Sequence, residues 1–288
     1  MKTPTLVVSP AGRNNLFVES HITNLMNNGD LEFSRGSFAN SIGKDGKLFE
    51  EFMDSPRFNY PKYATRPSIL FEPQRTNLIT YSNDFTNSAW AKTNINVTSN
   101  VALSPDGSVN ASKIAGTNIT SKHSISKTIT ATSGQLYVAS TYFKQSDIGH
   151  YAFLRFDIST AFDSEGAIID LSDGSIIDHN LEQSPIVESI GNGWYRLSIV
   201  QTANANANGP LVIGETINSS ITSVSYLGDG TSGVLIYGAQ LEEGAYPTSY
   251  IPTGGSTATR LVDSSYTDNV VSDGLIGLSS GFIEIDMY

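Results

Sequence analysis

The chain has 288 residues, of which 39% are hydrophobic and only 16% charged, and its 28 acidic and 17 basic residues give a net charge of −11. This charge excludes a typical non-specific nucleic-acid binder, which needs a basic surface, and argues against docking on anionic lipid. The chain contains no cysteine, so disulfides, thiolate metal sites and cysteine nucleophiles are excluded. Few charged residues and 25 glycines favour strands joined by turns over helices.

Targeting and membrane signals are missing from the sequence. The stretch from Met1 to Val8 lacks the apolar run of a secretory signal peptide. No run of 18 apolar residues occurs, so we expect no membrane insertion.

Residues 1–75 are predicted to form an extended N-terminal arm. Prolines recur in it at Pro56, Pro61, Pro67 and Pro73, and each removes a backbone donor and biases its predecessor away from helix. A segment with so few ladder hydrogen bonds must be ordered by packing on something else. Two alternatives follow: the arm wraps the main domain, or it attaches the chain to a larger assembly.

Residues 76–252 are predicted to form an antiparallel β-sandwich. Short apolar runs rich in β-branched and aromatic residues alternate there with turn residues, a pattern typical of sandwiches. The clearest strands are 136–144, 151–158, 194–200 and 234–241. Segments 167–171 and 175–178 predict a hairpin around Asp173 and Gly174, since a tight turn needs positive φ angles.

Residues 253–288 begin with TGGST at 253–257, the composition of a flexible linker, and end in the strand-like segment 281–288. A lone strand is incomplete. We expect it to pair with an earlier strand, to pair with another subunit, or to begin a further domain.

Several segments together resemble a known family. The segments are PSILFEPQRTNLITYSNDF at 67–85 followed by Trp90, GNGWYRL at 191–197, LIYGAQLEEGAYPTSYIP at 235–252 followed by ATR at 258–260, and upstream FSRGS at 33–37 and KDG at 44–46. In order and spacing they resemble bacteriophage fibre and spike proteins of the head-fibre or tail-fibre type. The resemblance implies an extended arm, a jelly-roll module like carbohydrate-binding modules, a trimer, and a place on the virion surface.

A sugar-binding surface can be predicted from strand alternation. Carbohydrate recognition needs an aromatic face for the sugar ring and fixed polar groups for its hydroxyls. Within 151–158, alternation places Ala152, Leu154, Phe156 and Ile158 on a core face. If the strands lie side by side, an aromatic and polar surface is formed by Tyr151, Arg155, Asp157, Trp194, Arg196 and Gln240. Gln240 is expected on the face opposite Tyr237.

The same residues have structural alternatives. Tryptophans such as Trp194 often belong to the core or cover the face of a sheet. Arg196 can pair with a neighbouring carboxylate. A subunit interface would use the same exposed aromatic residues. A structural calcium ion could be held by Asp106 or Asp229, whose oxygens suit that ion. Both also stand in ordinary Asp-Gly turns.

Enzymatic signatures are missing. The four histidines, His21, His123, His150 and His179, form no HExxH or comparable spacing, and there is no GxSxG elbow or phosphate-binding loop. We therefore expect no enzymatic activity, although a glycosidase pair could be drawn from the many carboxylates.

The expected function is that of a phage virion fibre or spike, a head fibre, that contacts other virion proteins and adheres weakly and multivalently to host-surface polysaccharide. The alternatives are a tail or baseplate fibre adaptor and, in another class, a polysaccharide-binding module or a depolymerase.

Overall fold

The computed structural model describes residues 32–60, 67–157 and 159–266, and in these ranges the chain is all-β. None of the described residues forms a helix that could span a membrane. The strands up to residue 77 are β1 (Glu32–Ser34), β2 (Ala39–Ile42), β3 (Leu48–Glu51), β4 (Arg57–Asn59), β5 (Ser68–Leu70) and β6 (Arg75–Asn77). The next are β7 (Ala91–Thr93), β8 (Ile95–Leu103), β9 (Val109–Gly116), β10 (Thr120–Ser121), β11 (His123–Ala131), β12 (Leu136–Gln145), β13 (Tyr151–Phe156) and β14 (Glu165–Ile169). The remainder are β15 (Ile176–His179), β16 (Ile186–Gly191), β17 (Trp194–Thr202), β18 (Ala207–Thr216), β19 (Tyr226–Leu227), β20 (Gly233–Glu243), β21 (Ala258–Arg260) and β22 (Ser264–Tyr266).

Two antiparallel sheets of six strands form the sandwich. Sheet one has the order β15-β14-β13-β18-β11-β7, and sheet two has the order β16-β17-β12-β20-β9-β8. The central strands, β14-β13-β18-β11 in one sheet and β17-β12-β20-β9 in the other, have the strand order of a jelly roll, because the chain crosses between sheets at nearly every step. The predicted antiparallel jelly-roll β-sandwich is therefore confirmed.

The sandwich interior follows the predicted alternation. Ala152, Leu154 and Phe156 of β13 are fully buried and pack in one cluster with Leu197 and Ile199 of β17. Ile158 lies outside the described residues. The predicted hairpin is formed by β14 and β15, and Gly174 in its turn has a φ of 84°.

The described part of the arm packs on the sandwich. Strands β2 and β3 form a hairpin over the outer face of sheet two, where Leu48 packs with Trp194, Tyr237 and Tyr250. The arm is also less irregular than the prolines predict, since it carries β1 to β6.

A buried ionic cluster joins the arm to the segment after the sandwich. We call it the clasp, and its members are Arg35, Arg57, Glu72, Arg260 and Asp263. Asp263 pairs with Arg35 at 3.1 Å and with Arg57, while Glu72 pairs with Arg57 at 2.8 Å and Arg260 at 3.4 Å. The three arginines are essentially unexposed. Next to the clasp, β1 pairs with β22, so that Glu32 lies opposite Tyr266.

The segment expected to be a flexible linker, 253–257, is hydrogen bonded to the sandwich. The Thr253 hydroxyl donates to the Ile79 carbonyl at 2.6 Å, and the Tyr81 amide donates to the Gly254 carbonyl at 2.6 Å. Strand β21 then pairs with β6. The predicted strand at 281–288 lies outside the described residues.

Candidate functional site

The structure does not bring the predicted binding residues together. Tyr151, Arg155 and Asp157 belong to or follow β13 in sheet one, whereas Trp194, Arg196 and Gln240 belong to sheet two. The neighbours of β13 are β14 and β18, so the expectation of adjacent strands is wrong. Because the two sheets pack face to face, their outer faces point in opposite directions and cannot form one surface.

On sheet one, the predicted residues form an ion network. Asp157 pairs with Arg155 and with Lys122, the latter at 2.5 Å, and Arg155 donates to the Ser164 hydroxyl at 2.9 Å. Burial acts to raise the pKa of Asp157, but the hydrogen bonds and charges of Lys122 and Arg155 outweigh it and lower the pKa to about 2. Tyr151 packs against the apolar cluster that covers this face.

On sheet two, most of the predicted residues hold the covering layer in place. The Trp194 indole is 2% exposed and donates to the Leu103 carbonyl at 3.2 Å. Gln240 is fully buried, donates to the Thr248 and Ser249 carbonyls and accepts the Ile251 amide at 2.6 Å. These bonds occupy the Trp194 indole and the Gln240 amide, whereas Arg196 lines the inner cavity of the groove described below.

The two candidate calcium ligands, Asp229 and Asp106, accept hydrogen bonds from groups of their own turns. Asp229 accepts the amides of Thr231 and Ser232, both at 2.7 Å. Asp106 accepts the Ser108 amide at 2.7 Å and the Tyr237 hydroxyl at 3.0 Å. No cluster of three or more His, Cys, Asp or Glu side chains suited to a metal ion is present in the part of the chain that the structure describes.

A groove between the arm and sheet two contains two depressions. The inner cavity has a volume of about 190 Å³ and the outer cleft about 360 Å³. The inner cavity is lined by apolar side chains, by polar side chains and by two tyrosines. The apolar residues are Ile42, Leu48, Leu70, Ile190 and Pro247, and the others include Asn59, Glu72, Tyr142, Glu188, Arg196 and Tyr250. The outer cleft is lined by Glu50, Ser82, Asn83, Asp106, Asn110, Tyr237, Tyr250, Pro252 and Thr253. Asn40, Leu48 and Tyr250 line both, so the two depressions lie next to each other.

Three tyrosines form the floor of the groove. The ring centroids of Tyr142, Tyr237 and Tyr250 lie 5.6 to 6.0 Å apart. Burial raises the pKa of the Tyr237 and Tyr250 hydroxyls far above the ordinary value, so both stay protonated. The Tyr250 hydroxyl bonds to Ser82 at 2.7 Å, and that of Tyr237 donates to Asp106.

Hydrogen bonds fix the polar groups of the outer cleft. Asn110 donates to Asp106 at 2.9 Å, and the Asn83 side chain accepts the Gly238 amide at 3.3 Å. Burial acts to raise the pKa of Asp106, but the hydrogen bonds from Asn110, Ser104 and Ser108 lower it below its ordinary value. Carboxylates, amides and aromatic side chains therefore line the cleft, several of them held in place by hydrogen bonds within the protein, and no Lys or Arg is among its lining residues.

The alternation of residues along the sequence does not predict that Tyr237 lines the groove. It lies on the outer face together with Gln240, contrary to the expectation of opposite faces, because Gly238 has a φ of 59° and the β12–β20 register shifts there. A glycine inside a strand is a typical signal of such a bulge. A Cβ at position 238 would lie 3.1 Å from the rings of Tyr142 and Tyr250.

Comparisons with known proteins found no matching family model and no matching curated protein. Among solved structures, the chain is similar to the enzymatically active domain of bacteriophage CBA120 tailspike protein 4, with 13% identity and a TM-score of 0.31 over 57% of this chain and 21% of that one. It is also similar to the CBM22-1–GH10 modules of Clostridium thermocellum endo-1,4-β-D-xylanase 10B, complexed with xylohexaose, with 12% identity and a TM-score of 0.36 over 63% of this chain and 30% of that one.

These findings overturn the prediction that the chain is not an enzyme. Both similar structures are described as catalytic: one as an enzymatically active tailspike domain, the other as a xylanase. The chain spans less than a third of the length of either.

Proposed function

We propose that this protein is a bacteriophage virion fibre or spike, of the head-fibre type, whose sandwich binds host-surface polysaccharide in the outer cleft. The resemblance of its 67–85, 191–197 and 235–252 segments to phage fibre proteins supports the virion part of the proposal. The jelly roll and the cleft support the polysaccharide part.

The outer cleft is the observation that carries the proposal. A polysaccharide needs aromatic surface for its sugar rings and fixed hydrogen-bonding groups for its hydroxyls. Tyr237 and Tyr250 line the cleft as aromatic side chains, 6% and 2% exposed, and Glu50, Asn83 and Asn110 line it as polar side chains.

The arm offers a surface for assembly. Phe38, Phe52 and Met53 are 47%, 70% and 51% exposed, and the two phenylalanine rings lie 5.7 Å apart. Exposed aromatic and methionine side chains are enriched at protein interfaces. In this proposal they contact other virion proteins or the sister chains of a homotrimer on the virion surface, and many copies make weak sugar contacts effective together.

The test is retention of the full chain in a gel containing the host's surface polysaccharide. Glu50→Ala and Asn83→Ala each remove one polar group from the cleft, and we expect each to reduce retention several-fold. Glu182→Ala, at an exposed site outside the groove, is the matched control and should be retained like the wild type. Unretained wild-type protein, or full retention of both cleft variants, would contradict the proposal.

Two further measurements separate the alternatives. Release of new reducing ends from the polysaccharide would identify a depolymerase. Cryo-electron microscopy of the particle distinguishes a head fibre from a tail or baseplate adaptor by the position of the chain.

A further inference from the structure

The inner cavity is lined by a tyrosine whose hydroxyl has no hydrogen-bond partner among the described residues. Tyr142 is 1% exposed and lines the cavity, and its hydroxyl has no hydrogen bond to any of the described residues. Burial raises its pKa to about 12, so the hydroxyl keeps its proton at neutral pH. Such a group finds its partner either in ordered water or in a bound molecule, so this hydroxyl is free to donate to a ligand that enters the cavity.

Each charged side chain that lines the cavity already has a partner of opposite charge. Arg196 lies over the Tyr142 ring at 5.4 Å, donates to the Ser140 hydroxyl at 2.9 Å and reaches Glu188 at 3.6 Å. The other charged lining residue, Glu72, is held by two arginines of the clasp. A ligand carrying its own charge would therefore have to break an existing ion pair, whereas an uncharged ligand would not.

The size and the opening of the cavity limit what can enter. Its volume of about 190 Å³ holds a small polar molecule but not a chain of them. The side chain of Glu188 is 42% exposed, which places it at the rim. The shared lining residues Asn40, Leu48 and Tyr250 place the cavity next to the outer cleft.

We propose that the inner cavity binds one uncharged sugar residue, a terminal or branch unit of the polysaccharide, through the Tyr142 hydroxyl and the Arg196–Glu188 pair. This proposal rests on the proposed function and adds the class of sugar. The hydroxyl and Arg196 donate hydrogen bonds, and the Glu188 carboxylate accepts them, which suits sugar hydroxyls because these both donate and accept.

The test is saturation-transfer NMR on the full chain with D-glucose, D-galactose, D-mannose, N-acetyl-D-glucosamine and D-glucuronate as separate probes. We expect at least one of the uncharged sugars to bind and glucuronate to give no signal. Tyr142→Phe removes only the hydroxyl and should weaken binding roughly three- to tenfold, the loss of about one hydrogen bond. Tyr246→Phe, at an exposed tyrosine, is the control and should bind like the wild type.

The variant is expected to fold, because Tyr142→Phe removes no protein hydrogen bond, and an unchanged or higher Tm confirms this. Unchanged sugar binding by Tyr142→Phe, binding of glucuronate equal to that of the uncharged sugars, or no binding of any uncharged probe would overturn the proposal. Loss of polysaccharide retention in the gel tests the proposed function separately. A wild-type chain that is retained by polysaccharide but binds none of the uncharged probes refutes the inner site alone.

Discussion

The interior of the sandwich and the clasp are both buried, yet different forces stabilise them. The interior packs apolar side chains such as Leu154, Leu197 and Ile236, which gain free energy from removal of their surface from water. The clasp removes charged groups from water, and each charge depends on its partner being in place. Truncation of an apolar side chain costs buried surface and leaves a cavity, whereas loss of one member of an ionic cluster leaves a buried charge without its partner.

Asp263→Ala is expected to have the largest effect. Asp263 pairs with Arg35, Arg57 and Arg260, so its removal leaves buried guanidinium groups without their carboxylate. Loss of one partner of a buried ion pair costs about 3–5 kcal/mol. We expect the arm to detach at lower urea concentration than the sandwich unfolds.

Tryptophan fluorescence can measure this separation. Trp194 lies under the arm and Trp90 lies in the interior, so single-tryptophan variants report the two regions separately. The control is Asp45→Ala, which breaks the exposed Asp45–Lys47 pair and should cost less than about 1 kcal/mol. Coincident transitions of both tryptophans in Asp263→Ala would show that the clasp and the interior unfold as one unit.

Leu197→Ala tests the contribution of the apolar interior to stability. Leu197 is fully buried in the interior cluster, and its truncation should cost about 2–4 kcal/mol through lost burial and the cavity left behind. We expect both tryptophan signals to shift together in urea, because the arm has nothing to pack on once the sandwich opens. A shift of the Trp194 signal alone would refute this order of dependence.

A third buried group, His150, is expected to make the free energy of unfolding depend on pH. It bonds to the Glu215 carboxylate at 2.9 Å, and this hydrogen bond raises its pKa above the ordinary value against the opposing effect of burial. The charges of Glu215, Asp147 and Asp229 act in the same direction as the bond, and the Tyr226 ring packs beside it.

The resulting stabilisation is fully present below the unfolded-state pKa of about 6.5 and is lost as pH rises through the higher folded-state value. We expect the free energy of unfolding of the wild type to fall over this window, and His150→Gln to remove that slope. His179→Gln, at an exposed histidine, should keep it. Urea titrations at several pH values measure both, and an identical slope in His150→Gln would contradict the assignment.

Asp157→Asn should have the smallest effect. Its ion network with Lys122 and Arg155 is partly exposed, so we expect a cost of about 1 kcal/mol or less at neutral pH. Because the pKa of Asp157 is lowered to about 2, the contribution is present above about pH 4 and is lost as pH falls toward 2. Unfolding of wild type and variant across this range checks the sign, and a loss comparable to that of Asp263→Ala would erase the contrast between surface and buried ion pairs.

Local patterns predicted much of the fold. Alternation in 151–158 identified the core face of β13, and Asp173-Gly174 identified the β14–β15 turn. The partners of each strand were not predictable in this way, since β13 and β17 look alike in sequence but lie in different sheets. The clasp was missed for the same reason, because Arg35 and Asp263 are 228 residues apart and meet only in the folded chain.

Sequence alternation failed to predict the candidate site because of one irregularity, the bulge at Gly238. Strict alternation places Tyr237 and Gln240 on opposite faces, but the bulge at Gly238 puts both on the outer face. Arg196 was correctly expected to face outward, yet its partner Tyr142 was not singled out, because a tyrosine in an apolar strand looks like an ordinary core residue.

The β1–β22 pairing has a mechanical consequence. Glu32 lies opposite Tyr266, so a pulling force applied at these two residues acts on adjacent points and separates the pair one bond at a time. The sandwich strands carry no load until β1–β22 and the clasp have opened. Stretched by these residues in an optical trap, the molecule should lengthen first in a low-force step that frees the arm, and rupture its jelly roll only in a later step at higher force.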